Sequence, residues 1–275
     1  MTKDESLLLF EQGNKLHWTA KTMGDYLINI KQFYNYFPAI PNVEDFTPDH
    51  VEEWLNYLNE ETKLKPTSRR LKYASVKAMY VYLNEETNIS VNPTIGVKAP
   101  SPVCGILPVI DRHSMFQLRE VMKYNPRDRA ILETLYATGV RVRELCDMQI
   151  SHLHEDTREI DIPKGKDEKP RVVLITPRCL EWINNYKTTR NDDNPYLFIT
   201  QSKGPFHRQS IWMLLKGYST LAGLKKNANP HAFRRTFATI LYKNGVSIEK
   251  ISRLMGHRFI TTTERYIKID YVGLI

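Results

Sequence analysis

At 275 residues the chain has room for one large domain or two ordinary ones. Apolar residues make up 41% and charged residues 25%, the balance of a globular protein with a sizeable core. No run of about 18 apolar residues occurs, which argues against a membrane-spanning helix. A net charge of +8 and a pI of about 9.2 favour a polyanionic partner.

That charge is unevenly placed. Residues 1–100 hold 11 lysines and arginines against 13 acids, whereas residues 101–275 hold 28 against 18. The opening "MTKDESLLLFEQ" is acidic, and its apolar run is too short for a secretory signal, so a cytoplasmic protein is expected. Cys104, Cys146 and Cys179 are odd in number and lack CxxC spacing, and read as free thiols.

The first hundred residues read as helices. In "TMGDYLINIKQFYNYF" the residues Tyr26, Leu27, Ile30, Phe33, Tyr34 and Phe37 recur at helical steps. "TPDHVEEWLNYLNEE" opens with Thr47 as N-cap and Pro48 in the first turn, and buries Val51, Trp54, Leu55 and Leu58. "PTSRRLKYASVKAMYVYLNEE" predicts a third helix capped by Thr67 or Ser68, with Leu71, Ala74, Val76, Tyr80 and Leu83 as its core face. Arg69, Arg70, Lys72 and Lys77 lie near its start. They suit either a solvated face or a helix that touches DNA phosphates.

Four prolines and two glycines between Asn92 and Pro108 mark a linker. The expected division is therefore a helical domain over 1–98, a linker over 99–108 and a second domain over 109–275. In the second part "DRAILETLYATGVRVRELCDM" reads as helix, small-residue turn at Thr138-Gly139, and helix. "REIDIPKGKDEKPRVVLIT" reads as two strands around a charged turn. Helices follow around Leu180–Tyr186, Gln209–Tyr218, Ala232–Asn244 and Ile248–Met255.

Common catalytic signatures are missing. There is no G-x-x-x-x-G-K-[ST], no G-x-G-x-x-G after a strand, no H-E-x-x-H and no G-x-S-x-G. "SHLHED" offers His152 and His154 without a third ligand at a standard zinc spacing, so no metal site is expected. What stands out instead are polar residues at turns and helix starts. Arg141 follows "ATGV" and Lys166 sits in "GKDEK". His231 and Arg234 form "HAFR". His257 follows Met255-Gly256, and Tyr266 comes nine residues later. Singly, each has a plain role: Arg141 could pair with Glu144 or Asp147, Lys166 could be a solvated turn residue, and His231 could sit satisfied in a first helical turn.

As an ordered set they resemble the tyrosine recombinases, the family of phage integrases and chromosome-dimer resolvases. "LYATGVRVREL" resembles the first arginine box, "GKDEKPRVV" the lysine-bearing hairpin, "HAFRRTFATIL" the His-x-x-Arg box and "LMGHRFITTTERY" the closing box. The match runs from about Leu107 to Tyr266; the helical first hundred residues resemble the family's core-binding, SAM-like domain more weakly. The resemblance implies a mainly helical fold with a small β component: an all-helical N-terminal domain and a mixed α/β catalytic domain, forming a C-shaped clamp on DNA. It assigns Arg141, Lys166, His231, Arg234, His257 and the nucleophile Tyr266 to catalysis. Arg69, Arg70, Lys72, Lys77 and Arg235 are expected at the DNA.

The chemistry suits these residue types. Attack on a phosphodiester builds negative charge on the non-bridging oxygens, which two planar, permanently charged guanidinium forks can hold. Such a pair stands where other enzymes place a metal ion, and no cofactor is expected. A tyrosine hydroxyl, with an ordinary pKa of about 10, needs nearby cations and a histidine to lose its proton. The resemblance further implies a 3′-phosphotyrosine intermediate, a free 5′-hydroxyl protonated from the lysine, and no need for ATP. It implies double-stranded core sites with inverted repeats, a homodimer on each and a homotetramer in the synapse, and leaves accessory DNA-bending proteins open. A relaxing type IB topoisomerase and a catalytically idle DNA-binding protein are the alternatives. Three features depart from the family pattern. Arg235 stands where a histidine is common, Asp167 where a second glycine is usual, and only "IKIDYVGLI" follows Tyr266. No arm-binding domain is expected ahead of the first helices.

Overall fold

In a computed structural model that describes residues 1–101, 109–163 and 170–267, the chain divides into two compact units, Met1–Gly105 and Ile106–Ile275. The first unit contains four α-helices: α1 (Lys3–Asn14), α2 (Ala20–Tyr36), α3 (Pro48–Glu60) and α4 (Pro66–Glu86). Their starts follow from local chemistry. The Thr2 hydroxyl accepts the Glu5 backbone N–H, while the Glu5 carboxylate takes the Thr2 N–H at 2.8 Å. Thr19 accepts the Thr22 N–H at 3.1 Å. In α3, Thr47 is the N-cap with Pro48 next, and its own N–H donates to His50 Nδ1 at 3.0 Å. Helix α4 starts earlier than expected: Lys65 is the N-cap and Pro66 takes the first helical position, where its missing N–H and fixed φ cost nothing.

An aromatic cluster fills this unit. The ring of Phe33 lies 4.8 Å from Phe46, 5.1 Å from Trp54 and 5.6 Å from Phe37. The buried face of α4 runs through Tyr73, Val76, Met79, Tyr80 and Leu83. Leu71, expected in that face, is 48% exposed, and Ala74 is only partly buried. Leu71 precedes Tyr73 by two residues, about 200° around a helix, which turns it away from the core. The Tyr80 hydroxyl donates to the Val43 carbonyl at 2.9 Å, and the Tyr73 hydroxyl lies 3.2 Å from the carbonyls of Thr94 and Val97.

In the second unit come α5 (Arg112–Val121), α6 (Pro126–Thr138), α7 (Val142–Asp147), a small sheet of β1 (Leu153–His154), β2 (Glu159–Ile162) and β3 (Arg171–Leu174), then α8 (Pro177–Thr188), α9 (Arg208–Leu221), α10 (Pro230–Lys243), α11 (Ile248–Met255) and α12 (Ile260–Ile267). Helices α6, α8 and α10 each begin with a capping side chain followed by proline: Asn125-Pro126, Thr176-Pro177 and Asn229-Pro230. The sheet is antiparallel in the order β1-β2-β3, with Ile160 opposite Leu153 and Val173, and Ile162 opposite Arg171. Residues 164–169, where the charged turn with Lys166 and Asp167 is expected, lie outside the described residues. So do Cys104 and the chain after Ile267.

Helix α6 is buried on nearly every side and lies against α8 and α10. Its buried polar groups are paired, as burial requires. Glu133, 2% exposed, accepts Arg119 Nη2 at 2.7 Å and Arg129 Nε at 2.8 Å, and the Arg129 guanidinium stacks on Trp182. Burial of α6 on nearly every side anchors the turn that follows it, which leads into Arg141.

Candidate active site

The site is assembled around the end of α11. This helix starts at Ser247, whose side chain accepts the Lys250 N–H, and it stops at Gly256 in the left-handed conformation, φ 62°. That φ favours glycine, and a Cβ at Gly256 would lie 2.9 Å from Arg171 Nη1 and push on that guanidinium. The last carbonyls of a helix have no partner within it and carry the negative end of its dipole. Here three consecutive ones accept three arginines. The Leu254 carbonyl takes Arg171 Nε at 3.0 Å, the Met255 carbonyl takes Arg234 Nη2, and the Gly256 carbonyl takes Arg141 Nη2 at 2.8 Å.

Three guanidinium groups so close together repel one another. Glu144 answers part of that charge. It accepts both Nη atoms of Arg171 at 2.8 and 2.7 Å, Arg141 Nη1 at 3.1 Å and the Arg141 backbone N–H at 2.7 Å. Burial alone would raise the pKa of this carboxyl group, but Arg171 and then Arg141 outweigh burial and hold it below the ordinary value. Arg141 is the N-cap of α7, so its backbone and its side chain are fixed by one residue a turn away.

Arg234 is 2% exposed. Its Nη1 donates at 2.6 Å to the carbonyl of Gly139, the left-handed residue that ends α6. A Cβ at Gly139 would lie 2.7 Å from the Phe237 ring, and φ there is 59°. Burial, then Arg141, lowers the Arg234 pKa to about 10, which still leaves it charged at neutral pH. Each expected phosphate-gripping arginine is thus held by the carbonyl of a glycine that closes a helix.

His257 follows the Gly256 turn. Its Nδ1 pairs with the Thr263 hydroxyl at 2.7 Å, and Thr263 is fully buried. Burial, then Arg234, Arg141 and Arg171, push the His257 pKa down to about 3. The ring is therefore neutral at physiological pH. Its centroid lies 5.5 Å from that of Tyr266, edge to face. Tyr266, on α12, packs against the small core of Ala238, Ile251, Met255 and Ile267, and is near enough to interact electrostatically with Arg234 and Arg235. His231 lies in the first turn of α10 and is exposed on one side. The protein packed against its other side, then Arg235 and Arg234, hold its pKa below the ordinary histidine value.

Among the described residues, two buried arginines and a partly buried one, set against the Glu144 carboxylate and beside a neutral histidine and a tyrosine, leave a positive site suited to an anionic ester. Comparison with known proteins decides the family. Residues 108–272 match the phage integrase family, and residues 10–88 match the phage integrase N-terminal SAM-like domain. The chain belongs to the phage integrase family. It is 31% identical to a tyrosine recombinase of Pseudothermotoga lettingae, covering 90% of this chain and 87% of that one. It is 32% identical to the tyrosine recombinase XerA of Pyrococcus furiosus, covering 88% and 84%. Its fold matches that of a lambda integrase tetramer bound to a Holliday junction, with a TM-score of 0.81 and 19% identity over 97% of this chain and 77% of that one. Membership of this family makes it a tyrosine recombinase, an enzyme of DNA strand breakage and rejoining.

Of the residues the family pattern singles out, Arg141, Arg234, His257 and Tyr266 gather at the end of α11, with His231 one turn before Arg234. Lys166 lies outside the described residues. Arg235, expected at the DNA, is 7% exposed, because residues 232–236 of α10 are all buried. Its Nε has no hydrogen-bond partner among the described residues, and it interacts electrostatically with Tyr266 and His231. In the first unit, Arg70 and Lys77 are exposed and share a face of α4, seven residues apart. Arg69 is partly buried, and Lys72 is tied to α2 through Asn29 and Gln32.

Three members of the site escaped sequence reasoning. Glu144 was visible only as one of two partners for Arg141; the other, Asp147, pairs with Arg143 instead, at 3.6 Å. Arg171 shares the inward side of β3 with Val173, and an arginine on a strand's buried face is the signal that marked it. Thr263 is the third of three threonines, and only the register of α12 tells which one turns inward.

Proposed function

We propose that the enzyme performs site-specific recombination with Tyr266 as nucleophile, cutting DNA at a core site through a 3′-phosphotyrosine ester. The Tyr266 oxygen bonds to phosphorus while the bond from phosphorus to the 5′ oxygen breaks. The tyrosine proton leaves through a histidine of the site, His231 or His257, helped by the nearby guanidinium charges, and the leaving 5′ oxygen takes a proton from Lys166. Arg141 and Arg234 hold the non-bridging oxygens as their charge grows, the stage at which preorganised donors contribute most. His231 supports the same phosphate from the first turn of α10. Because the ester retains the bond energy, a 5′-hydroxyl from another strand reverses the step without ATP.

The observation that carries this reading is the convergence of Arg141, Arg171 and Arg234 on successive carbonyls of α11, immediately before His257 and Tyr266. In the proposed cycle a homodimer occupies each inverted-repeat core site. Two such sites pair into a homotetramer, and strands exchange through a four-way junction. Arg70 and Lys77, exposed on one face of α4, would meet backbone phosphates. Among the described residues no helix is long and apolar enough to cross a membrane, which suits work on DNA in the cytoplasm.

The test uses a core site selected from random duplexes by retention on the protein, then nicked so that cleavage traps the covalent complex. Wild type is expected to accumulate the adduct, and Tyr266→Phe to form none while still retaining the duplex. Equal trapping by Tyr266→Phe would refute the assignment.

A further inference from the structure

Arg171 is held as firmly as the two arginines assigned to the phosphate, yet nothing in the reaction described above uses it. Its side chain is 9% exposed. Among the described residues its hydrogen bonds all go to the site: two to the Glu144 carboxylate and one to the Leu254 carbonyl. It packs against the α11 terminus, with Nη1 2.9 Å from where a Cβ at Gly256 would stand.

Glu144 thereby serves two arginines with one negative charge. Toward Arg171 it makes two short parallel bonds, the strongest geometry open to such a pair. Toward Arg141 it makes one longer side-chain bond, at 3.1 Å, and a backbone bond at 2.7 Å. A carboxylate with no other partner would orient Arg141 but also cancel the charge that the phosphate needs. We infer that Arg171 is a positioning residue for Arg141: it takes up the charge of Glu144, so that Glu144 fixes Arg141 in place without neutralising it. Removing Arg171 would leave Arg141 and Glu144 to collapse onto each other, and one of the two phosphate-gripping cations would be lost while still present in the chain. This inference rests on the assignment of Arg141 to the phosphate.

The account makes a prediction that a merely structural contact does not. Arg171→Gln should be harmful because Glu144 is charged, so Glu144→Gln should partly repair it. Single-turnover cleavage of the nicked core site is measured for wild type, Arg171→Gln, Glu144→Gln, the double variant and Arg171→Lys, alongside duplex retention and thermal midpoint. Arg171→Gln is expected to cleave about 100-fold more slowly, the scale of losing one transition-state donor. The double variant should recover roughly 10-fold over Arg171→Gln, a coupling that a double-mutant cycle isolates. A double variant as slow as Arg171→Gln or slower would overturn the inference, as would wild-type cleavage by Arg171→Gln. Should glutamine cost the fold, Arg171→Lys carries the test. Its retained charge still offsets Glu144, though without the bidentate fork, so it should cleave clearly faster than Arg171→Gln, and a lysine variant that melts normally yet cleaves ~100-fold more slowly than wild type would overturn the claim. Arg141→Ala in the same assay separates the layers. If it cleaves like wild type, the reading beneath is wrong; if it is inactive and Arg171→Gln is not, the positioning role alone fails.

Discussion

Around Phe33 in the first unit, order comes from buried area: aromatic rings from α2, α3 and the segment between them pack within about 5–6 Å of one another. Around the end of α11 in the second unit, order comes from charge, with three arginines on three carbonyls and one carboxylate between them. Apolar packing is non-directional and tolerates exchange of similar shapes. A cluster of guanidinium groups is directional, and each bond fixes a neighbour. Substitution in the first region should therefore cost stability, and in the second should cost chemistry.

Arg234→Ala is the largest expected break in that contrast. It removes the proposed phosphate donor and leaves the carbonyls of Gly139 and Met255 without the Arg234 hydrogen bonds. Cleavage of the nicked site should fall by about 10²–10³ while duplex retention persists; unimpaired cleavage would count against the clamp. On the other side, Trp54→Ala should lower the unfolding free energy of the first unit by about 3–5 kcal/mol, the cost of a large core cavity. Denaturant titration with helix signal reads this directly, and a loss under ~1 kcal/mol would show that the aromatic cluster is not what holds the unit. A subtler probe is Thr263→Val, which keeps the shape and removes the hydroxyl that bonds His257. Cleavage should slow roughly 10-fold, a fraction of what a general base contributes, with the thermal midpoint little changed.

The same contrast decides what the sequence revealed. Periodicity showed the helices of the first unit and the buried stripe of Val51, Trp54, Leu55 and Leu58, because area-driven packing writes itself as a repeat. It misjudged Leu71, since the face of α4 is set by Tyr73 and Val76 and not by the first apolar residue of the run. Helices α1, α5 and α12 and strand β1 went unread. α1 is masked by its polar surface, β1 is two residues long, and α12 is only eight. In the second unit the order of the motifs pointed to Arg141, His231, Arg234, His257 and Tyr266, and the structure brings Arg141, Arg234, His257 and Tyr266 together at the end of α11. That order could not disclose Glu144, Arg171 and Thr263 as partners, because pairing across 27 residues, as between Glu144 and Arg171, leaves no local pattern. The C-terminal carbonyls of α11 are backbone groups and are silent in any sequence.

The central claim is that the tyrosine beside His257 becomes bonded to DNA. The most direct measurement is peptide mapping by mass spectrometry of the covalent complex trapped on the nicked core site. The account predicts a nucleotide phosphate on the peptide containing Tyr266 and on no other tyrosine. An adduct on a different residue would contradict it.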